Sequence, residues 1–306
     1  MKVLYKITTL AMLCFACLQA LAQQPCYRLI GKAAGLPSNT VYDVKQGKNG
    51  CIWVGTDKGL CKYDGVNVYL YNNPQQTGKG VTDIYVLDNG EVYCQNFSGQ
   101  LLYTQNGTLQ IETAVGTSNN YYPMRRIGPL LLFFSNEDIH ILNPYLHKAK
   151  TVHIPGAAFD FTCVNNNRLY FYNTSSNLVV YDGKTTQTVT TISQGPETII
   201  KQFYSLPNGL LMARANNSLS TVFDYNGGFK EFPGIDNSAL LQNVVTIDND
   251  VWLCTSIGLY RYTKKLKQLG NKPYFSNYRI SSIIKDREGA YWISTLDNGL
   301  SLCAQY

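Results

Sequence analysis

One apolar position recurs along this chain at a nearly constant interval. It is held by Leu60, Leu101, Ile139, Leu178, Leu219, Leu259 and Leu300, at steps of 41, 38, 39, 41, 40 and 41 residues. A period near forty confines the chain to architectures made of equal units, none of which buries its apolar face alone. The clearest unit runs from Gly50 to Gly65, with Ile52-Trp53-Val54-Gly55-Thr56 and Leu60-Cys61-Lys62-Tyr63 on either side of Asp57-Lys58-Gly59. It reads as strand, tight turn, strand. Related blocks are Val251 to Tyr260 and Gly289 to Leu300. Trp53 and Trp252 stand seven residues before their leucines and Trp292 eight. Phe171 and Met212 stand seven before theirs. Large side chains repeating in register are expected to pack between units rather than to meet a ligand.

A second ruler agrees with the first. Before the second strand of a unit comes a turn dipeptide: Asn49-Gly50, Asn89-Gly90, Asn208-Gly209 and Glu288-Gly289. Such pairs supply the positive φ of a tight hairpin. The remaining units carry Gly128-Pro129, Asn165-Asn166-Asn167 and Asp248-Asn249-Asp250 at that place. Four short strands per forty residues describe a propeller blade. In the first blade the strands are expected near Thr40 to Val44, Ile52 to Gly55, Leu60 to Tyr63 and Val66 to Tyr71. The last unit holds only three strands, and Tyr27 to Ile30 stands unassigned before the first. The expected fold is therefore all-β: a seven-bladed β-propeller of four-stranded blades, closed by an N-terminal strand that completes the last blade and removes two exposed edges.

Residues 1–22 read as an export signal and 23–306 as the propeller. Lys2 and Lys6 precede an apolar stretch that ends at Ala20-Leu21-Ala22, a small-residue cleavage site, with Gln23 as the new terminus. Neither Cys17 nor Cys26 follows the small-residue box that lipid attachment requires. The expected location is the periplasm. The formal charge is +6, and about +4 without the two leader lysines, scattered along the chain; no nucleic-acid partner is expected. Seven cysteines remain after cleavage, an odd number at wide spacings, and they are read as small buried hydrophobes rather than as a redox or metal motif.

The residues Gly35-Leu36-Pro37-Ser38-Asn39-Thr40-Val41-Tyr42-Asp43-Val44, then Asn49 to Thr56, then Gly59 to Gly65, resemble the two-component regulator propeller repeat. The last unit resembles it from Ile280 to Leu300, and the sixth keeps Trp252 and Gly258-Leu259. The resemblance implies a periplasmic sensor module that binds an oligosaccharide and passes the signal to a kinase. This chain resembles the first propeller only of that layout. The implied partners are the oligosaccharide, a separately encoded sensor kinase or second propeller, and a homodimer mate. The resemblance implies no cofactor.

Binding residues are sought where the units differ, on the face formed by the inner-strand entry loops and the turns between second and third strands. Those candidates are Asn39, Tyr121, Tyr122, Arg125, Tyr274, Tyr278, Arg279, Asn96, Phe97, Asn216, Asp297 and Asn298. Tyrosine beside amide, carboxylate and guanidinium suits sugars: the ring stacks on an apolar face and the hydroxyls need paired donors and acceptors. His140, His147 and His153 fall within fourteen residues. They are read as strand and loop residues, because a metal needs three or four ligands converging on one point. Asp43, Asp83 and Asp160 are the acids a glycan-cleaving propeller would use, but nothing in the sequence sets them face to face. No enzymatic activity is expected. Arg261, Lys264, Lys265 and Lys267 read as a solvated edge. A stand-alone interaction scaffold is the alternative reading, with a glycan hydrolase or lyase behind it.

Overall fold

The computed structural model describes residues 27–118, 120–191, 200–207, 209–214, 221–224, 228–231 and 239–304. It is an all-β propeller built from four-stranded antiparallel sheets, seven of them in these residues. In the first blade Val41–Gln46 pairs with Ile52–Thr56, then Gly59–Tyr63, then Val68–Tyr71. The strand Tyr27–Ile30 lies outermost in the last sheet. It runs antiparallel to Leu300–Cys303, with Tyr27 opposite Cys303 and Ile30 opposite Leu300.

The turns explain why the sequence breaks where it does. Gly50, Gly90 and Gly289 all take positive φ, at 86°, 89° and 91°. The units that lack the Gly use other residues tolerant of that region. Asn166 and Asn167 stand at 48° and 57°, and Asp248 at 55°. Their short polar side chains bear the left-handed conformation at less cost than a branched one.

Packing joins the blades. The buried apolar residues form seven clusters, and each straddles the seam between neighbouring blades. Trp53 of blade one packs on Val81, Ile84 and Val92 of blade two. Trp252 packs on Ile283, Tyr291 and Ile293 of the last blade. Trp292 packs on Val41, Val44 and Tyr63 of the first, while its Nε1 donates to Asp286 Oδ2 at 2.8 Å. In blade four the tryptophan register belongs to Tyr170, not Phe171. The turn Thr174–Ser176 is one residue longer than Asp57-Lys58, so Tyr170 lies opposite Val180 as Trp53 lies opposite Lys62. Leu219 and Asn208 lie outside the described residues, as does the side chain of Met212.

Among the described residues no helix is long and apolar enough to cross a membrane. The proposed leader and Cys26 lie outside them. Cys61, Cys94, Cys163 and Cys254 are buried free thiols, Cys303 is buried and Cys51 is half-buried. Burial pushes the Cys61 and Cys163 thiols up to about 12.

Candidate functional site in the central cavity

Six inner strands share one irregularity near their start. The register slips between Val41 and Asp43, Thr82 and Tyr85, Ala158 and Thr162, Ile200 and Gln202, Leu241 and Asn243, and Ile280 and Ser282. A bulge leaves its extra residue unpaired and turns that side chain away from the regular pleat. Here the extra residues include Tyr42, Asp83, Asp160, Gln242 and Ser281, and all five line one cavity of about 710 Å³ on the propeller axis. Every inner strand contributes to its wall, with Tyr121, Arg125 and Tyr204 among the other lining residues. That volume lies within the range of small-molecule sites.

The polar residues of the wall are held by seam bonds. Asp83 sits in the left-handed region at φ 52°. Its Oδ2 accepts from Tyr121 Oη and from Met124 N, both at 2.9 Å and both on the approach to blade three. Asp43 Oδ2 accepts from Ile84 N of blade two at 2.9 Å, and its Oδ1 accepts from Val44 N and from Lys45 Nζ at 2.7 Å. Arg125 donates from Nε and Nη2 to the carbonyl of Thr162 in blade four, at 3.0 and 2.6 Å. Ser281 Oγ donates to Val41 O at 2.6 Å across the seam of the last and first blades. Burial raises the Asp83 pKa above the usual carboxylate value, partly opposed by the Arg125 charge. Burial, then the Asp83 charge, raises the Tyr121 hydroxyl. Asp160 faces the same cavity but is exposed.

Two of the candidate acids thus act as fasteners between blades. Asp43 and Asp83 are close enough that the Asp43 charge adds to the rise at Asp83. Both Asp43 oxygens and Asp83 Oδ2 already accept, from backbone amides, a lysine and a phenol.

The twelve sequence-chosen residues divide into several places. Tyr121 and Arg125 line the cavity. Phe97 stands beside it, exposed, with Tyr42 edge-on at 4.8 Å on one side and Tyr121 at 5.1 Å on the other. Tyr122 does not face solvent: it is buried among Leu132, Phe134 and Phe159 in the seam of blades three and four. Both tyrosines lie on the irregular segment that leads into the inner strand Arg125–Ile127, and there Tyr121 turns to the cavity and Tyr122 to the seam. Asn96 is fully buried and serves the turn that carries Phe97. Tyr274 is half-buried against Trp252, at 6.1 Å between rings. Tyr278, Arg279, Asp297 and Asn298 gather instead at the edge of the last blade. There Arg279 Nε lies 3.3 Å from Asp297 Oδ2, Asn298 Nδ2 donates to Asp297 Oδ1, and Tyr278 Oη meets Tyr27 Oη at 3.1 Å. Asn39 joins this group through its carbonyl, which accepts from Gly299 N at 2.7 Å. Asn216 lies outside the described residues.

The histidines stay apart in their contacts. His140 Nε2 lies 2.6 Å from Ser135 Oγ, His147 Nδ1 lies 2.7 Å from the buried Glu112 carboxylate, and His153 Nδ1 lies 2.8 Å from Asp138 Oδ1. Among the described residues no group of histidine, cysteine or carboxylate is placed to hold a metal. Arg261 is not merely a solvated edge residue. It pairs with Asp250 at 2.6 Å and lies over the Trp252 ring at 5.0 Å, whereas Lys264, Lys265 and Lys267 are exposed.

The model of the family described as two component regulator propeller matches residues 35–58. Over that stretch the chain is similar to a two component regulator propeller repeat. That stretch spans the entry loop of blade one, the Tyr42 bulge and the strand of Trp53. No curated protein matches the sequence. Among solved structures, the chain is similar to the extracellular domain assigned to the one component system BT4673 of B. thetaiotaomicron. The TM-score is 0.69 at 18% identity, over 92% of this chain and 40% of that one. It is also similar to the extracellular domain assigned to the hybrid two component system BT3049 of the same organism. There the TM-score is 0.68 at 16% identity, over 91% of this chain and 42% of that one. The virginiamycin B lyase of Staphylococcus aureus gives a TM-score of 0.69 at 12% identity, over 91% of this chain and 99% of the lyase. At these identities the likeness is one of fold. The chain spans about two-fifths of the length of the two B. thetaiotaomicron structures.

Proposed function

We propose that this chain is the exported sensing propeller of a two-component-type system, and that it binds an oligosaccharide in the central cavity without turning it over. The observation that carries the reading is the cavity itself. Bulges in five blades bring a phenol, two carboxylates, an amide and a hydroxyl to one space of about 710 Å³, inside a propeller whose first blade is similar to the regulator repeat. Phenol rings and mixed donors and acceptors are what a sugar's two kinds of surface require. Export follows from the Lys2 to Ala22 leader and accords with the extracellular assignment of the similar structures. A separately encoded kinase or second propeller, or a homodimer mate, would receive the signal.

Titration calorimetry of the mature protein against a panel of glycan fragments tests this. At least one fragment should bind, and Asp160→Ala, which alters an exposed wall residue, should weaken it. A cavity shared with a partner domain makes millimolar affinity the expected scale, about −4 kcal/mol. Absence of heat with every fragment would favour the scaffold reading. Cleavage of a fragment would favour a lyase or hydrolase.

A further inference from the structure

Phe97 is the odd member of its series. The turns at the same place in other blades carry Asp57-Lys58, Asn136-Glu137, Thr174–Ser176, Ser256-Ile257 and Leu296–Asn298. Among the described residues only the second blade presents an aromatic ring there, and that ring is 45% exposed. An isolated exposed phenylalanine needs no explanation. The construction beneath this one does.

The side chain of Asn96, fully buried, makes four bonds that fix the turn. Its Nδ2 donates to Gly78 O and Gln100 Oε1, and its Oδ1 accepts from Ser98 N and Gln100 N. Gln100 in turn accepts from Thr77 N at 2.8 Å and donates to Gln75 O. Gly99 holds φ 76°, and a side chain there would run into the carbonyl of Ser118. A satisfied buried polar network of this kind rigidifies what it supports. The rings flanking Phe97 are fixed as well. Tyr121 is tied to Asp83, itself bonded to Met124 N, and Tyr42 stands on the bulge of blade one. The result is a row of three rings in which the outer two line the cavity and the central one faces water. A ring already immobilised loses little freedom when something binds to it.

We infer that Phe97 is the stacking platform of the site, and that it selects a sugar whose terminal pyranose presents an unbroken face of C–H groups. This rests on the oligosaccharide reading above. The ring supplies apolar contact on one face of the pyranose, and the cavity wall beyond it, with the exposed Asp160 carboxylate, takes hydroxyls. Tyr121 acts as a positioning residue for the platform and Asp83 holds Tyr121.

The test uses the mature full-length protein and saturation-transfer NMR, with cellobiose, lactose, maltose and xylobiose as probes. The strongest transfer should fall on ring C–H protons of the sugar bound best. Phe97→Ala should raise its Kd by about tenfold or more, and Phe97→Trp should restore it to within about threefold. Both variants should melt with the wild type, because the altered ring is exposed. A sugar bound equally by wild type and Phe97→Ala overturns the platform and leaves the oligosaccharide reading standing. Failure of the wild-type protein to bind any of these probes, or any longer fragment in calorimetry, overturns both.

Discussion

At the scale of single residues, the tryptophans and the aspartates do opposite kinds of work. Trp292 fills the seam between the last and first blades, and its indole N–H is satisfied by Asp286. Trp292→Ala should cost about 3–5 kcal/mol, because the cavity left in a seam between rigid sheets collapses only in part. Thermal melting should show a fall of several degrees; a variant melting with the wild type would refute the packing role. Asp83 is a buried acid whose pKa is raised, chiefly by desolvation. The folded state therefore holds its proton to higher pH than the unfolded state does. Stability is lost as pH rises from the ordinary carboxylate range through the folded value. Asp83→Asn keeps an acceptor for Tyr121 and Met124 and removes the charge. The variant should gain on the wild type as pH rises, while Asp83→Ala, with no acceptor, should be destabilised throughout. Melting curves from pH 4 to 8 would decide it, and a gap that shrinks with pH would contradict the sign. The cavity residues were half legible beforehand. Tyr42, Asp83, Tyr121 and Asp160 each stand 18 residues before the leucine or isoleucine that marks their unit, with Gln242 at 17 and Ser281 at 19. The ruler that located the blades thus also locates the wall, but the count cannot show that a bulge turns those side chains inward. Nor does it separate Tyr122 from Tyr121, because the two stand on an irregular segment before the strand Arg125–Ile127 rather than in a pleat.

At the scale of elements, the hairpins followed their turn chemistry. Asn-Gly and its substitutes stand where the chain reverses, because only a few residue types accept positive φ cheaply. Bulges leave no comparable mark in composition, since their extra residue is an ordinary Tyr, Asp or Gln. One element is held by very few residues: Tyr27–Ile30, a four-residue strand on the outer edge of the last sheet. Of its side chains only Ile30 is buried, packed with Leu300 and Val41 in the seam of the last and first blades. Ile30→Ala should cost about 2–5 kcal/mol, whereas Leu29→Ala, at an exposed position, should change stability by less than about 0.5 kcal/mol. Urea denaturation of the two variants compares them directly. Equal midpoints would show that the strand contributes nothing through its buried residue.

At the scale of the whole molecule, the core is a chain of seams rather than a single centre. Trp53, Trp252 and Trp292 report on three different seams. If the ring stands or falls as one body, variants retaining a single tryptophan should give the same fluorescence midpoint, coincident with loss of the β signal in circular dichroism. Separate midpoints would mean that the seams yield independently. The repeat made this architecture legible because a period of forty recurs seven times and survives drift in individual blades. What the period could not convey is which blade carries the exceptional turn, for the turn at that place differs in sequence from blade to blade. The pairing of Tyr27 with Cys303 has a further consequence, and it concerns time. These partners lie 276 positions apart. At about 5–20 residues per second, synthesis separates their emergence by roughly 15–55 s. For that interval the first strand must wait without its partner while six complete sheets can already pair from neighbouring segments. The final seam is the one contact that no partial chain can rehearse, so cells making this protein must keep a short, partly apolar strand from finding other company until the last one arrives.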